Sequence, residues 1–243
     1  MSLRVERVGN FLFRWRGYLP LILFFLFWKL FLLPEYVELY LGEFGGDLYE
    51  LFCITISMTG LLIRLVIGGQ VPEGTSGRNT KEQKANFLNT TGFYSIVRHP
   101  IYILGNFPIF LGILLFIQIW WIVVAGVIIF WIYYLPIMKA EDKFLERKFG
   151  EDWRKWAAKT PLLIPNLKNW QPSLTNFSWK KAIKKEYTTL FVILATYSLI
   201  DIIRDLFTEK KIDFFWGVIL ILNVCFYFIL KFLKKKTKLF KSI

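Results

Sequence analysis

Six apolar stretches dominate the hydrophobic pattern of the chain, and the charged residues cluster between them. A helix needs about 20 apolar residues to cross a bilayer core, and each stretch comes close to that length. The stretches are residues 18–33, 48–69, 101–117, 119–138, 187–207 and 214–231. The third and fourth form one charge-free run that is too long for a single crossing, which predicts a tight helical hairpin that breaks near Gln118. The pattern therefore predicts an all-α, polytopic membrane protein with about six transmembrane helices.

A seventh segment, residues 139–159, is charged but periodic. Its apolar residues recur at helical spacing, which predicts an amphipathic helix that lies at the membrane interface. These residues are Phe144, Leu145, Phe149, Trp153 and Trp156. Two prolines follow at positions 161 and 165, and the residue before a proline disfavours helical backbone. We therefore expect the interfacial helix to end at about residue 159.

The composition supports a membrane protein and argues against other classes. The 243 residues are 55% hydrophobic and 19% aromatic, more than a soluble domain can bury. The formal charge of +13 would suit nucleic acid, but the basic residues flank apolar segments. Anionic lipid head groups are therefore the expected partners, with no role for nucleic acid. Cys53 and Cys225 lie in apolar stretches without metal-ligand spacing, which favours neither a disulfide nor a metal site.

The distribution of Lys and Arg predicts the orientation. Basic residues are concentrated in segments 1–17, 70–99, 139–186 and 231–243, whereas residues 34–47 contain none. Because cytoplasmic loops carry an excess of Lys and Arg, both termini should face the cytoplasm. The protein is expected in the cytoplasmic (inner) membrane. The chain then divides into an N-terminal hairpin (1–69), a core (70–165), and a C-terminal hairpin with a basic tail (166–243).

The most unusual feature is the entrance to the third apolar stretch. Residues 90–102 contain the only histidine, His99, between Arg98 and Pro100. They place a titratable ring, a guanidinium and the hydroxyl of Tyr102 at a helix N-terminus, where free backbone N–H groups favour anions. Proline is also common in the first turn of a helix, so a basic flank before an ordinary helix start is an alternative interpretation.

Two motifs carry a resemblance to a known superfamily. TGFYSIVRHPIY, followed after the apolar hairpin by AEDKFLERKFGEDWRKWAAKTPLLIP, resembles the isoprenylcysteine carboxyl methyltransferases and phospholipid methyltransferases. The resemblance covers roughly residues 86–165. It implies an integral membrane enzyme that uses S-adenosyl-L-methionine (SAM), with a cofactor pocket on the cytoplasmic side.

The resemblance also implies roles for individual residues. The cofactor contacts would be Tyr94, His99, Pro100, Tyr102 and Glu141, while Asn86, Leu88 and Asn89 match the cofactor-contacting stretch only in position. Arg98 and His99 are the candidate catalytic residues. The chain departs from the pattern at Asp142, where many relatives have a second Glu. It also departs at Gly105, which stands one residue later than in the common Tyr-x-Gly spacing.

The chemistry of SAM agrees with these residues. SAM is a zwitterion with a sulfonium cation, so its pocket needs a carboxylate for the positive groups and donors for the carboxylate of SAM. Glu141 and His99 lie at the two cytoplasmic ends of the predicted hairpin and would supply both. Acidic residues are also typical of a solvated helix start, so Glu141 and Asp142 have an ordinary alternative interpretation.

The methyl acceptor is expected to be an anionic oxygen. Such an oxygen needs no general base, whereas an ammonium group must first lose a proton. The nearby residues are largely cationic, namely Arg64, Arg78, Lys81, Arg98 and Lys139. Arg64, Arg78 and Lys139 would bind a membrane lipid through its phosphate, aided by backbone donors of the glycine-rich loop 68–80. In this respect the chain is similar to bacterial enzymes that methylate a phosphate of lipid A.

Other functions stay open. Carboxyl methylation of isoprenylcysteine is disfavoured, because Ile137 stands where those enzymes carry a substrate-binding arginine. N-methylation of phosphatidylethanolamine is a further alternative. The hairpin and the KFGEDWRKW segment also resemble membrane sterol reductases, which bind NADPH. A non-catalytic membrane scaffold would explain the hydropathy but not the paired motifs.

Overall fold

The computed structural model describes residues 3–17, 28–72, 85–208 and 214–236. These residues form helices and connecting loops without a β-strand, apart from one isolated bridge between Gly92 and Gln171. The all-α prediction is therefore confirmed. Residues 18–27, which make up most of the first predicted span, lie outside the described residues. The same holds for residues 73–84, which include Arg78 and Lys81.

Eight helices are labelled here in chain order. They are α1 (Leu3–Trp15), α2 (Tyr36–Gln70), α3 (Phe93–Ile96), α4 (Ile101–Phe116), α5 (Trp120–Phe149), α6 (Glu151–Lys159), α7 (Trp179–Thr208) and α8 (Phe214–Lys236). Two 3-10 turns, Trp28–Leu32 and Leu167–Asn169, lie in the connections. Helix α4 begins with a π-helical turn, Ile101–Asn106, and continues as an α-helix from Phe107.

Three of the described helices, α2, α5 and α8, are long and apolar enough to cross a membrane, and α4 is a shorter apolar helix. The predicted spans 48–69 and 214–231 lie within α2 and α8. Span 119–138 lies within α5 except for its first residue, and span 101–117 matches α4 to within one residue. Span 187–207 is helical, as part of α7, but that helix contains buried Asp201 and Arg204. A membrane protein with transmembrane helices is thus supported, while the number of six crossings stays a prediction.

The prediction of one amphipathic helix over residues 139–159 is wrong. Helix α5 continues through the charged residues to Phe149, and only α6 is a separate helix. The break falls at Gly150, whose φ of 53° lies in the left-handed region that favours glycine. Apolar periodicity alone could not find it, because the spacing stays helical on both sides of the glycine.

The loop predicted at residues 34–47 is also largely helical. Helix α2 starts at Tyr36 and is interrupted only at Gly42, where φ is 77°. The predicted hairpin break near Gln118 is confirmed, since Gln118 has a φ of 62° between α4 and α5. Its side-chain Oε1 accepts a hydrogen bond of 2.8 Å from the Val37 backbone N–H. That bond joins the turn of the hairpin to the start of α2.

The bundle is organised around α2, which packs along α4 and α7, while α8 packs on α7 and α1 packs on α5. Helices α2 and α4 approach closely at Gly60, where an added Cβ would lie 2.5 Å from the Gly105 carbonyl oxygen. One turn further along α2, the side chain of Arg64 crosses Gly105. The absence of a side chain at these two glycines lets a polar residue of α2 reach the start of α4.

Candidate functional site

The start of α4 is held by the chain that follows α6. The Arg98 backbone N–H donates to the Pro161 carbonyl at 3.0 Å, and the Asn166 N–H donates to the Ile96 carbonyl at 2.9 Å. The indole Nε1 of Trp156, in α6, donates to the Tyr94 carbonyl at 3.0 Å. The two motifs that lie on either side of the apolar hairpin are therefore in direct contact.

His99 lies between the two acidic residues of α5. Its Nε2 is 3.0 Å from Asp142 Oδ1, and its Nδ1 is 3.3 Å from Glu141 Oε2. The Tyr102 hydroxyl donates to Glu141 Oε1 at 2.8 Å. Arg98 Nη1 donates to Asp142 Oδ2 at 2.6 Å. The structure thus brings together the Arg-His-Pro-x-Tyr motif and the acidic pair, as expected for the two ends of one hairpin.

The two carboxylates control the charge of His99. Burial by itself would lower the pKa of the imidazole, but the hydrogen bonds to Asp142 and Glu141 and the charges of both carboxylates raise it to about 9. His99 is therefore an imidazolium at neutral pH, with each ring N–H directed to a carboxylate oxygen. In this state it is a donor and cannot accept a proton from a substrate.

The remaining predicted cofactor residues are not all in the same place. Leu88, Asn89 and Tyr94 line a cavity of about 210 Å³, together with residues of the chain before α7 that include Leu174 and Thr175. Pro100 is fully buried at the start of α4. Asn86 is exposed and does not line this cavity.

Tyr94 lines this cavity, and two charged groups influence the pKa of its hydroxyl. Burial raises the pKa of its phenol well above the usual range, the charge of Glu141 raises it further, and the charge of Arg64 opposes the rise. The phenol is therefore neutral. Because both Arg64 and Glu141 act on Tyr94, the cationic residue of α2 and the acidic residue of α5 face the same region.

The cationic residues expected to bind the substrate have different environments. Arg64 is not a free cation: its Nε and Nη2 donate to the two carboxylate oxygens of Glu186, in α7, at 2.8 and 3.1 Å. Arg98 is paired with Asp142. Lys139 is exposed on α5, and Arg78 lies outside the described residues. The excess of positive charge inferred from the sequence is therefore smaller at the described site.

Three polar residues of the site were missed by the sequence analysis: Asn106, Tyr134 and Glu186. Asn106 Oδ1 accepts a hydrogen bond from Arg64 Nη1, and its Nδ2 donates to the Tyr134 hydroxyl at 3.2 Å. One signal was present, because a side-chain amide in the charge-free run of residues 101–138 is costly unless it is paired. Glu186 stands just before an apolar stretch, where a charge is ordinary, so no comparable signal existed for it.

The helical bundle and its charged site are those of a helical membrane protein with a polar site at the end of a hairpin. A family model described as "Phospholipid methyltransferase" matches residues 74–152, which include the first motif and the first half of the second. This match confirms the resemblance of this segment to the isoprenylcysteine and phospholipid methyltransferase superfamily.

One curated protein is similar to this chain. The chain is 27% identical over 164 residues to the cobalt-zinc-cadmium resistance protein CzcN of Cupriavidus metallidurans. The alignment covers 65% of this chain and 73% of CzcN. No solved structure matches the chain.

Proposed function

We propose that this chain is a SAM-dependent methyltransferase that acts on a membrane lipid from the cytoplasmic face of the inner membrane, with both termini in the cytoplasm. The observation that carries the proposal is the position of His99 between Glu141 and Asp142. Two distant sequence motifs converge there, within the segment that the phospholipid methyltransferase family matches.

Glu141 fits the positive groups of SAM, whereas both N–H groups of His99 are bound by Glu141 and Asp142, so His99 is not the donor to the SAM carboxylate that the sequence suggested. Glu141 is the one carboxylate of the pair that is partly exposed, since 23% of its side chain is accessible against 11% for Asp142. Tyr102 binds one carboxylate oxygen of Glu141 and His99 binds the other. The remaining lone pairs of these oxygens are available to the positive groups of a ligand. When bound, SAM would supply an electrophilic methyl group on its sulfonium.

The residues of the chain then act mainly by binding and orientation. Tyr102 and His99 hold the Glu141 carboxylate, while Asp142 holds His99 and Arg98 in place. Leu88, Asn89 and Tyr94 would contact the rest of the cofactor in the adjoining cavity. Alignment of an acceptor with the methyl group, and exclusion of water from it, supply most of the rate in a displacement of this kind.

The acceptor that we propose is a lipid phosphate oxygen, with a lipid A phosphate as the specific candidate. The protonation states of residues in the site favour this acceptor more strongly than an excess of cations does. His99 is protonated and Tyr94 is neutral, so neither residue would deprotonate an ammonium acceptor, whereas an anionic oxygen reacts as it stands. Arg64, Lys139 and Arg78 are the proposed phosphate-binding residues.

Calorimetry on the purified protein tests the cofactor. We expect SAM to bind and NADPH not to bind, and we expect Glu141→Ala and His99→Ala to weaken SAM binding by about tenfold or more, as for the loss of hydrogen bonds to charged groups. Glu151→Ala is the matched control, because Glu151 is an exposed acidic residue of α6. Binding of NADPH in place of SAM would overturn the proposal in favour of a lipid reductase.

A further inference from the structure

A buried ion pair joins the middle of the bundle to the C-terminal hairpin. The guanidinium of Arg64 binds Glu186 through two parallel hydrogen bonds, and 17% and 8% of the two side chains are accessible. Thr189, one turn further along α7, donates to Glu186 Oε2 at 2.7 Å. Glu186 Oε2 thus accepts hydrogen bonds from both Thr189 and Arg64 Nε. Arg64 and Glu186 both lie outside the segment that the family model matches.

From this pair, polar side chains lead to the proposed cofactor site. Arg64 Nη1 donates to Asn106, which donates to the Tyr134 hydroxyl. The Tyr134 ring lies 5.1 Å from the ring of Tyr102, the residue that binds Glu141. A series of polar and aromatic contacts therefore links the guanidinium of Arg64 to the residues proposed to bind the cofactor.

A purely structural tie would be a weak explanation for this pair. A buried ion pair seldom stabilises a fold more than apolar residues of the same size would. Helices α2 and α7 already have a neutral polar contact, because the Tyr197 hydroxyl donates to the Cys53 carbonyl at 3.0 Å and lies 2.8 Å from Ser57 Oγ. Charged side chains within a membrane bundle are typical of functional sites.

We propose that Arg64, Asn106 and Tyr134 form the site for the anionic oxygen of the methyl acceptor, and that Glu186 is its positioning residue. Arg64 has five N–H donors, so its guanidinium can bind Glu186 and Asn106 and still offer an N–H to an oxyanion. Glu186 fixes the plane of that guanidinium. The C-terminal hairpin thereby completes the acceptor site. The inference rests on the proposed function for the reaction, but binding of an anionic lipid tests it separately.

Arg64 and Glu186 should then affect different kinetic constants. Arg64→Ala removes a contact to the acceptor and should raise its KM by about tenfold or more. Glu186→Gln keeps the size of the side chain and leaves the positive charge of Arg64 uncompensated. The acceptor should still bind, with an unchanged or lower KM, but out of alignment. Turnover per SAM-binding site should therefore fall by about tenfold or more, since small misplacements have large effects on rate.

The experiment uses the full chain in detergent micelles, with dioleoyl phosphatidic acid as the binding probe. Affinities for SAM and for phosphatidic acid are measured for the wild type, Arg64→Ala, Glu186→Gln and the control Tyr197→Phe. We expect the SAM affinity of all three variants to lie within about twofold of that of the wild type. Phosphatidic acid should bind less tightly only to Arg64→Ala. Turnover is then measured with the lipid that mass spectrometry identifies as methylated, and is divided by the number of SAM sites.

Each outcome decides a different point. If Glu186→Gln lowers thermal stability as Tyr197→Phe does but leaves turnover per SAM site intact, Glu186 is a structural tie and its positioning role is refuted. If Arg64→Ala binds phosphatidic acid as the wild type does, the acceptor site is refuted. If the wild type fails to bind SAM, the proposed function fails, and phosphatidic acid binding still shows whether Arg64 belongs to an anion site.

Discussion

The imidazole of His99 and the carboxylate of Asp142 lie 3.0 Å apart, although 43 positions separate them in the chain. The whole apolar hairpin of α4 and α5 lies between the two residues, so their contact depends on the hairpin closing at Gln118. Asp142 also binds Arg98, and its neighbour Glu141 binds the other nitrogen of His99. The result is a buried group of two cations and two anions from both ends of one hairpin.

Tyr102→Phe should weaken SAM binding without unfolding the protein. The substitution removes the hydroxyl that fixes Glu141 Oε1, and a hydrogen bond to a charged group contributes about 1.5–3 kcal/mol. We expect SAM affinity to fall by roughly tenfold or more in calorimetry. Tyr133→Phe is the matched control, because its hydroxyl donates to the Leu12 carbonyl in α1 and has no contact with Glu141. Equal losses in both variants would contradict a specific role for Tyr102.

The contribution of His99 to stability should depend on pH. The folded pKa of about 9 lies above the ordinary value of about 6.5. Protonated His99 therefore stabilises the fold fully below about pH 6.5, and the contribution is lost as the pH rises through about 9. The difference in melting temperature between the wild type and His99→Gln should be largest at pH 6 and shrink above pH 9. A difference that grows with pH would contradict a protonated His99.

Gly105→Ala should disturb Arg64. A Cβ at this position would lie 2.5 Å from Arg64 Cγ and 3.0 Å from Cδ, so the arginine side chain would have to move. Overpacking of this kind typically costs about 1–3 kcal/mol, and thermal unfolding should show the loss. Gly217→Ala in α8 is the control, since nothing lies within 4 Å of an added Cβ there. It should be neutral or slightly stabilising, because alanine favours helix.

Labelling of introduced cysteines should test the orientation. The background variant replaces the native Cys53 and Cys225, and single cysteines are placed at exposed positions. An impermeant maleimide should label Tyr40→Cys in intact cells, whereas Asn10→Cys and Lys159→Cys should react only after the cells are opened. Labelling of Asn10→Cys from outside would place the N-terminus on the other side of the membrane and contradict a cytoplasmic site.

The sequence predicted the helices better than their ends. Apolar runs near the length of a bilayer crossing revealed the helices that became α2, α4, α5 and α8. The continuation of α5 to Phe149 was missed, because charged residues are as compatible with a helix that leaves the membrane as with one that lies on it. The extra residue before Gly105 is taken up by the π-helical turn at Ile101–Asn106, in which Phe107 N–H donates to the Tyr102 carbonyl.

The proposed cofactor site was more predictable than the proposed acceptor site. Arg98, His99, Tyr102 and Glu141 belong to contiguous motifs at the ends of one hairpin, and a hairpin brings its ends together. Arg64 and Glu186 are 122 positions apart on different helices. Their contact depends on which faces of α2 and α7 meet. The apolar periodicity of these two helices is too weak to define a face.

Methyl transfer itself tests the central claim most directly. The purified protein would be incubated with lipid extract from its native membrane and with SAM that carries a deuterated methyl group, and the lipids analysed by tandem mass spectrometry. We predict that a lipid gains the deuterated methyl group, that the label fragments with the phosphate, and that Glu141→Ala abolishes the transfer. A label on an amine head group would contradict the phosphate acceptor. Binding of SAM by the wild type without labelling of any lipid would contradict lipid methylation.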